Sequence, residues 1–390
     1  MRTLRLSAAS LLFASLIAHA DGGYFAIADG VAQTADQRAV IIDHGDAETI
    51  VLQTGHDGDA SDFAWVIPTP TRLAGVSSVS TADPAVFTAL DELTAPRYYE
   101  SAGAGPAICG CSGDNGAGAG GAPVRGDVTV WDSFAVENYD IVVLSADESS
   151  DLATWLDDNG YHLPAGSADV LHSYVSRHWF FVAIRMVPSA GGGGGAGDQL
   201  RPITLTFSTD ELVFPMHISR VSTAERVEVM LYVISDGRVR SSNYPTAEIE
   251  ARSSWRGQSF EAVYDGWFER TIANLGGTAL VVECARSVPS QLLVTPPFDA
   301  LLDREIQHYV TRLRTRLTPA QMTEDIVLVA DERGADVGVV VASGVPGLRP
   351  RIAMATLLLA AIQAVAFRSR PRSRRIASAT VLLAVFIVLL

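Results

Sequence analysis

Short apolar runs closed by turn signals fill the chain from Arg38 to Glu332 and leave little room for a helical core. "RAVII" (38–42), "TIVLQT" (49–54) and "FAWVIP" (63–68) come first, split by "DHGDAE" and "GHDGDASD". "DVTVWDSFAVENYDIVVLSA" (127–146) holds two more runs. "HWFFVAIRMV", "PITLTFST", "ELVFPMHIS", "RVEVMLYVIS", "TALVVECA" and "DIVLVADE" follow. Runs of this length, rich in β-branched and aromatic residues and bounded by Gly, Asp, Asn and Pro, predict strands.

Three segments read as short helices. In "ADPAVFTALDELTAP" Asp83 suits an N-cap, Pro84 the first helical position, and Pro96 a stop. "DESSDLATWLDDNG" puts Leu152, Trp155 and Leu156 on one face, with Gly160 where a helix ends. "SADVLHSYVSR" is the third. "RLRTRL" (312–317) fits either periodicity, since Leu313 and Leu317 suit a helix face and Arg312, Arg314 and Arg316 alternate as in a strand. The pattern predicts an α+β fold, mostly antiparallel β-sheet with a few short helices. "SAGAGPAICGCSGDNGAGAGGAPVRG" (101–126) and "PSAGGGGGAGD" (188–198) are low-complexity insertions, the second a possible subdomain seam near 190–198.

The two ends differ from this body. "MRTLRLSAASLLFASLIAHA" (1–20) has a basic start, an apolar centre and a small-x-small end, as a secretory leader does, with the mature chain expected from Asp21. "IAMATLLLAAIQAVAF" (352–367) and "IASATVLLAVFIVLL" (376–390) flank "RSRPRSRR", the basic loop 368–375. Each run is shorter than the roughly 20 residues of an upright span. They predict a membrane anchor over 345–390, either a helical hairpin with its arginines on the cytoplasmic side or one crossing helix. Residues 21–344 would then be an exported ectodomain.

Charge supports that division. All 29 basic residues are arginine; 20 of them and all 44 acids lie within 21–344, an excess of 24 acids. Such a body lacks the basic clustering that neutralises phosphates, which excludes nucleic acid as a partner. A membrane and other envelope proteins are the expected partners.

Candidate chemistry is sparse. "HDGDASDF" sets Asp57, Asp59 and Asp62 behind His56. Between two strand-like runs this reads as the connection of a hairpin, because Asp and Gly tolerate turn geometry. The spacing echoes the start of a calcium loop, yet Asp62 stands where glycine is needed and Pro68 where glutamate is needed. A loose calcium site through Asp57, Asp59 and Asp62 is the alternative. Of the three cysteines, Cys109 and Cys111 form a CxC and Cys284 stands apart. In an oxidising compartment one disulfide is expected, with Cys284 bridged to one of the pair because a bridge within CxC is strained. A redox or soft-metal CxC site is the sharper alternative.

Signatures for a nucleophile elbow, a zinc protease helix, a phosphate loop or a dinucleotide fold are missing. His56, His172 and His178 have no ligand spacing. Trp65, Trp155, Trp179 and Phe180 lie in apolar runs and read as core, whereas Tyr98 and Tyr99 are better placed for exposure.

Several blocks, "DFAWVIPTP", "LATWLDDNGY", "YVSRHWFFVAIRM", "ELVFPMHIS" and "YVTRLRTRLTPAQMTED", resemble in order those of an uncharacterised bacterial exported family, domain of unknown function 2330. The resemblance covers about residues 24 to 331 and implies export, often with a C-terminal membrane segment. It implies no activity and no catalytic residue. Members of that family often carry cysteines just after the leader; here that stretch is "DGGYFAI". Two functions remain in view: a membrane-anchored, non-catalytic extracytoplasmic binding or scaffold module, and a metal- or thiol-dependent envelope enzyme.

Overall fold

Two β-sheets face one another across a shared apolar layer, and helices cover the outer face of each. The computed structural model describes residues 23–26, 36–53, 63–99, 128–161, 164, 166–186, 201–223, 226–249, 259–289, 296–299, 301–302, 308–338 and 340–343. The leader, the calcium candidates Asp57, Asp59 and Asp62, both glycine-rich insertions with Cys109 and Cys111, and the expected anchor 345–390 lie outside them. Among the described residues no helix is long and apolar enough to cross a membrane.

The smaller sheet is antiparallel throughout, in the order β1 (Gly23–Ala26), β4 (Phe63–Thr69), β9 (Phe180–Met186), β8 (Tyr139–Ala146), β7 (Val128–Val136). The larger one has eight strands: β14 (Thr246–Glu248), β15 (Leu280–Ser287), β16 (Tyr309–Leu317), β12 (Val227–Ser235), β2 (Gln37–Asp43), β3 (Ala47–Leu52), β10 (Ile203–Ser208) and β5 (Val79–Thr81). Its pairs are antiparallel except β12 with β2 and β14 with β15. A third sheet joins β11 (Leu212–Phe214), β17 (Ile326–Ala330) and β13 (Val239–Ser241). The expected β-rich, mostly antiparallel α+β class is the one observed.

Period-2 alternation divides each strand between two layers. Ala39, Ile41, Ile50, Leu52, Leu231 and Leu313 meet Trp65, Ile67, Ile141, Val143, Val182 and Ile184 in the layer between the sheets. On the outer face of the larger sheet, Val40, Ile42, Val51, Tyr232 and Val310 pack under α1 (Ala85–Thr94) through Val86, Phe87 and Leu90. On that of the smaller sheet, α2 (Ser149–Asp158) and α3 (Ser167–Val175) cover Val66, Leu144, Phe181 and Ala183.

Helix starts and stops follow the local chemistry. The Asp83 carboxylate accepts the Ala85 N–H at 2.9 Å in the turn that opens α1, while Pro84 rather than Asp83 holds the cap position. Gly160 closes α2 at φ 83°. The helix α4 (Phe260–Asn274) is not among the predicted three. Ser259 caps it, accepting from Ala262 N at 3.3 Å, and Gly276 and Gly277 at φ 87° and 89° end it. Its Phe268 and Ile272 close over Val281.

One expectation is corrected. The acidic segment after β3 is not a hairpin connection: β3 pairs with β2 and β10 in the larger sheet, while β4 pairs with β1 and β9 in the smaller. Two apolar strands of similar pattern carry no mark of which sheet they enter. The segment therefore links sheets. Across the 190–198 seam the chain likewise passes from β9 to β10, strands of different sheets.

A second unit comprises residues 97–108 and 340–390. Within it β6 (Arg97–Tyr99) pairs in parallel with β18 (Val340–Ser343).

Candidate functional site

The ambiguous "RLRTRL" segment is strand β16, and its alternation decides the chemistry of the larger sheet. Leu313 and Leu317 point into the inter-sheet layer, which places Arg312, Arg314 and Arg316 on the outer face beneath the helices. Three arginines in a row on a covered face demand partners, because an unpaired buried guanidinium is very costly.

Partners arrive from four elements, α1, β12, α4 and β15. Arg312 donates from Nε to Glu283 Oε2 at 2.7 Å and from Nη1 to Asp91 Oδ1 at 2.6 Å. Arg314 donates to Glu228 at 2.6 Å, to Asp265 at 3.2 Å and to Glu283 at 3.4 Å. Arg316 reaches Glu228 at 2.7 Å, Asp265 at 3.1 Å and Glu269 at 2.8 Å. Arg38 on β2 donates to Asp91 and, at 2.6 Å, to Tyr232 OH, which itself donates to Asp91 Oδ1 at 2.6 Å. Arg226 closes the far end on Glu269 at 2.9 Å. Aromatic faces fill the remaining space: the Arg314 guanidinium lies 4.1 Å from the Phe268 ring centre and that of Arg312 5.3 Å from Tyr232.

The most buried acid of the ensemble stands at a backbone irregularity. The register of β15 against β16 slips between Val282 and Cys284, making Glu283 the extra residue of a β-bulge. Glu283 keeps the outward side that alternation from Val281 and Val282 gives it, toward Arg312 and Arg314, and the bulge brings Cys284 to that side as well.

Protonation follows from this arrangement. Burial alone would raise Asp91, but Arg312 and Arg38 beside it hold its carboxyl below the ordinary carboxylate range. Burial lifts the Tyr232 and Tyr264 phenols well above theirs, Tyr264 with help from Glu283. Neither phenol is a proton donor or acceptor near neutrality. Five arginines face five carboxylates, so the ensemble is charge-balanced, with the buried Arg314 Nε left without a hydrogen-bond partner. It can fix helices α1 and α4 to the sheet; it offers no spare charge to a substrate.

A second polar cluster joins α3 to the start of β17. The buried Asp325 accepts from Tyr174 OH, from Arg177 at 3.0 Å and from the His217 backbone N–H at 3.1 Å. Ser173 Oγ lies 3.4 Å from His217 Nδ1. These residue types suggest a nucleophilic triad, but Asp325 holds the His217 backbone rather than its ring. Burial lowers the His217 ring and raises Asp325 from their ordinary values. The cluster ties α3 to the turn at 217–221.

Among the described residues no three His, Cys, Asp or Glu side chains are grouped to hold a metal ion. His172 and His178 are exposed. Among the described residues no disulfide forms; Cys284 is a free, buried thiol, pushed up to about 12 chiefly by burial. Trp65 is core, as expected. Trp155 stacks on Tyr161 at 6.1 Å and Trp179 carries Arg177 at 4.2 Å, both half-buried against the helical layer. Tyr98 and Tyr99 lie in β6, with side chains outside the described part.

The aromatic that sequence reasoning missed is Trp131. It is the extra residue of a second bulge, between Val130 and Asp132 on β7, an edge strand of the smaller sheet. Its side chain is 42% exposed, yet held on three sides. Nε1 donates to Ser145 Oγ at 2.9 Å, the Arg72 guanidinium lies 4.7 Å from the ring centre, and Phe180 lies 6.0 Å away.

The family model described as an uncharacterized protein conserved in bacteria (DUF2330) matches residues 16–329. No curated protein and no solved structure matches the chain. The match takes in both facing sheets, the arginine strand β16 and most of β17, and on it the chain belongs to the uncharacterized bacterial family DUF2330.

Proposed function

We propose that the protein is exported, is held at a membrane by its C-terminal apolar runs, and serves there as a non-catalytic binding or scaffold module for another envelope protein. The leader-like residues 1–20, the arginine-flanked apolar runs after 351 and the acidic body between them support the location. The observation that carries the binding role is Trp131. An indole kept exposed on an edge strand, yet fixed by Ser145, Arg72 and Phe180, is pre-organised for contact with a partner. The charge-balanced arginine face supports a structural role for the densest ionic ensemble. The thiol-enzyme reading finds no support at Cys284, whose thiol is buried and held protonated.

The test is photo-crosslinking in cells. A photoreactive phenylalanine analogue replaces Trp131 in one version of the full-length protein and Leu275, which is similarly exposed at 40%, in another. A discrete adduct with an envelope protein at 131 and not at 275 agrees with the proposal. The same adducts at both positions, or none at 131, contradict it.

A further inference from the structure

Among the described residues, Glu48 is a carboxyl in the layer between the sheets whose surroundings the arginine lattice does not explain. It lies on β3 in register with Asp43 on β2 and Phe207 on β10, and it is wholly buried. Oε2 accepts the Val213 backbone N–H at 2.8 Å, while Oε1 is buried with no hydrogen-bond partner. Val213 belongs to β11, an end strand of the three-stranded sheet, paired on one side with β17. On its other side the Glu48 side chain stands in for a neighbouring strand. The chain entering β11 is also tethered to the tip of the β2–β3 hairpin, where Thr209 N donates to Asp46 O at 3.1 Å.

We propose that Glu48 is a proton-operated latch that holds β11, and with it the three-stranded sheet, against the β2–β3 hairpin. With its proton, the carboxyl is neutral and receives the Val213 amide inside an apolar corner formed with Phe207, Leu212 and Phe214. Without it, a full charge sits there with one oxygen unpartnered, and Asp43, the ionisable neighbour on β2, adds repulsion. The strand β10 presents Phe207 and β11 a backbone amide, so neither brings a positive charge to it. Burial, reinforced by Asp43 and opposed by the Val213 hydrogen bond, pushes the carboxyl up to about 8. Above that value water must reach Glu48, and parting β11 from the hairpin is the movement that admits it.

Amide hydrogen exchange of the full-length protein tests the latch. One linked proton predicts that protection of Val213 and Phe214 falls by about tenfold per pH unit above the titration point, beyond the intrinsic change in exchange rate. Protection of Leu231 and Val233 in central β12 stays level over the same range. Glu48→Gln keeps the acceptor for Val213 and removes the titration, so its β11 protection becomes independent of pH. Asp43→Asn, which leaves Glu48 in place, moves the wild-type transition to lower pH and serves if Glu48→Gln does not fold. The proposal is overturned if β11 protection is flat from about pH 6 to about pH 10. It is equally overturned if β11 opens in step with β12, if Glu48→Gln keeps the wild-type slope, or if Asp43→Asn leaves the transition unmoved.

Discussion

Arg312 on β16 and Glu283 on the β15 bulge meet at 2.7 Å with 8% and 1% of their side chains exposed. A buried pair of this kind does more for uniqueness of packing than for net stability, since both ions give up their hydration. Breaking it from one side is another matter. Arg312→Met leaves Glu283 and Asp91 short of a cation and is expected to cost about 3–5 kcal/mol in chemical denaturation. Adding Glu283→Gln to that variant removes one stranded charge and recovers at least about 1 kcal/mol.

Acid stability depends on the same lattice. The folded carboxyl of Asp91 sits below its ordinary value, so the folded state binds its proton less readily than the unfolded chain. Its contribution is complete above the unfolded value of about 4 and is lost as pH falls through the folded value. Thermal unfolding followed below about pH 4 should show a steep loss in wild type and a shallower one in Asp91→Asn.

Much of the layer structure was legible in the residues because alternation reports which strands are two-faced. The runs at 38–42, 49–54 and 63–68 are strands β2, β3 and β4, and Asp83 accepts the Ala85 amide at the start of α1. What alternation cannot report is partner choice and bulges. The β3–β4 connection crosses between sheets, and the register slips at Glu283 and Trp131 leave no mark in composition. The missed α4 did carry a signal: Ser259, the spaced Val263, Tyr264, Trp267, Phe268 and Ile272, then Gly276-Gly277. The arginine face was half visible, since "RLRTRL" alternates, but its acids come from distant segments.

Trp131 is expected to matter for binding more than for folding. Trp131→Ala loses a ring contact to Phe180 and the stacked Arg72, at a cost of about 1 kcal/mol or less at this exposure. Its melting temperature should stay within a few degrees of wild type. A loss of stability of about 3 kcal/mol or more would instead mark the indole as part of the core.

Cys284 should be chemically silent in the folded protein. Its thiol is buried and raised to about 12, so iodoacetamide at about pH 8 meets little thiolate. Mass mapping should find Cys284 unmodified in native protein and fully alkylated after denaturation. Rapid native labelling would show that β15 opens or that the site is reactive.

Location is the claim on which the proposed function stands, and one measurement reaches it directly. Cells making the full-length chain are separated into membrane and soluble fractions. The mature N-terminus is then sequenced, and intact spheroplasts are treated with protease. The account predicts membrane-bound protein that begins at Asp21 and whose acidic body is digested from outside. Soluble protein that still begins at Met1 and is protected until the cells are lysed would contradict it.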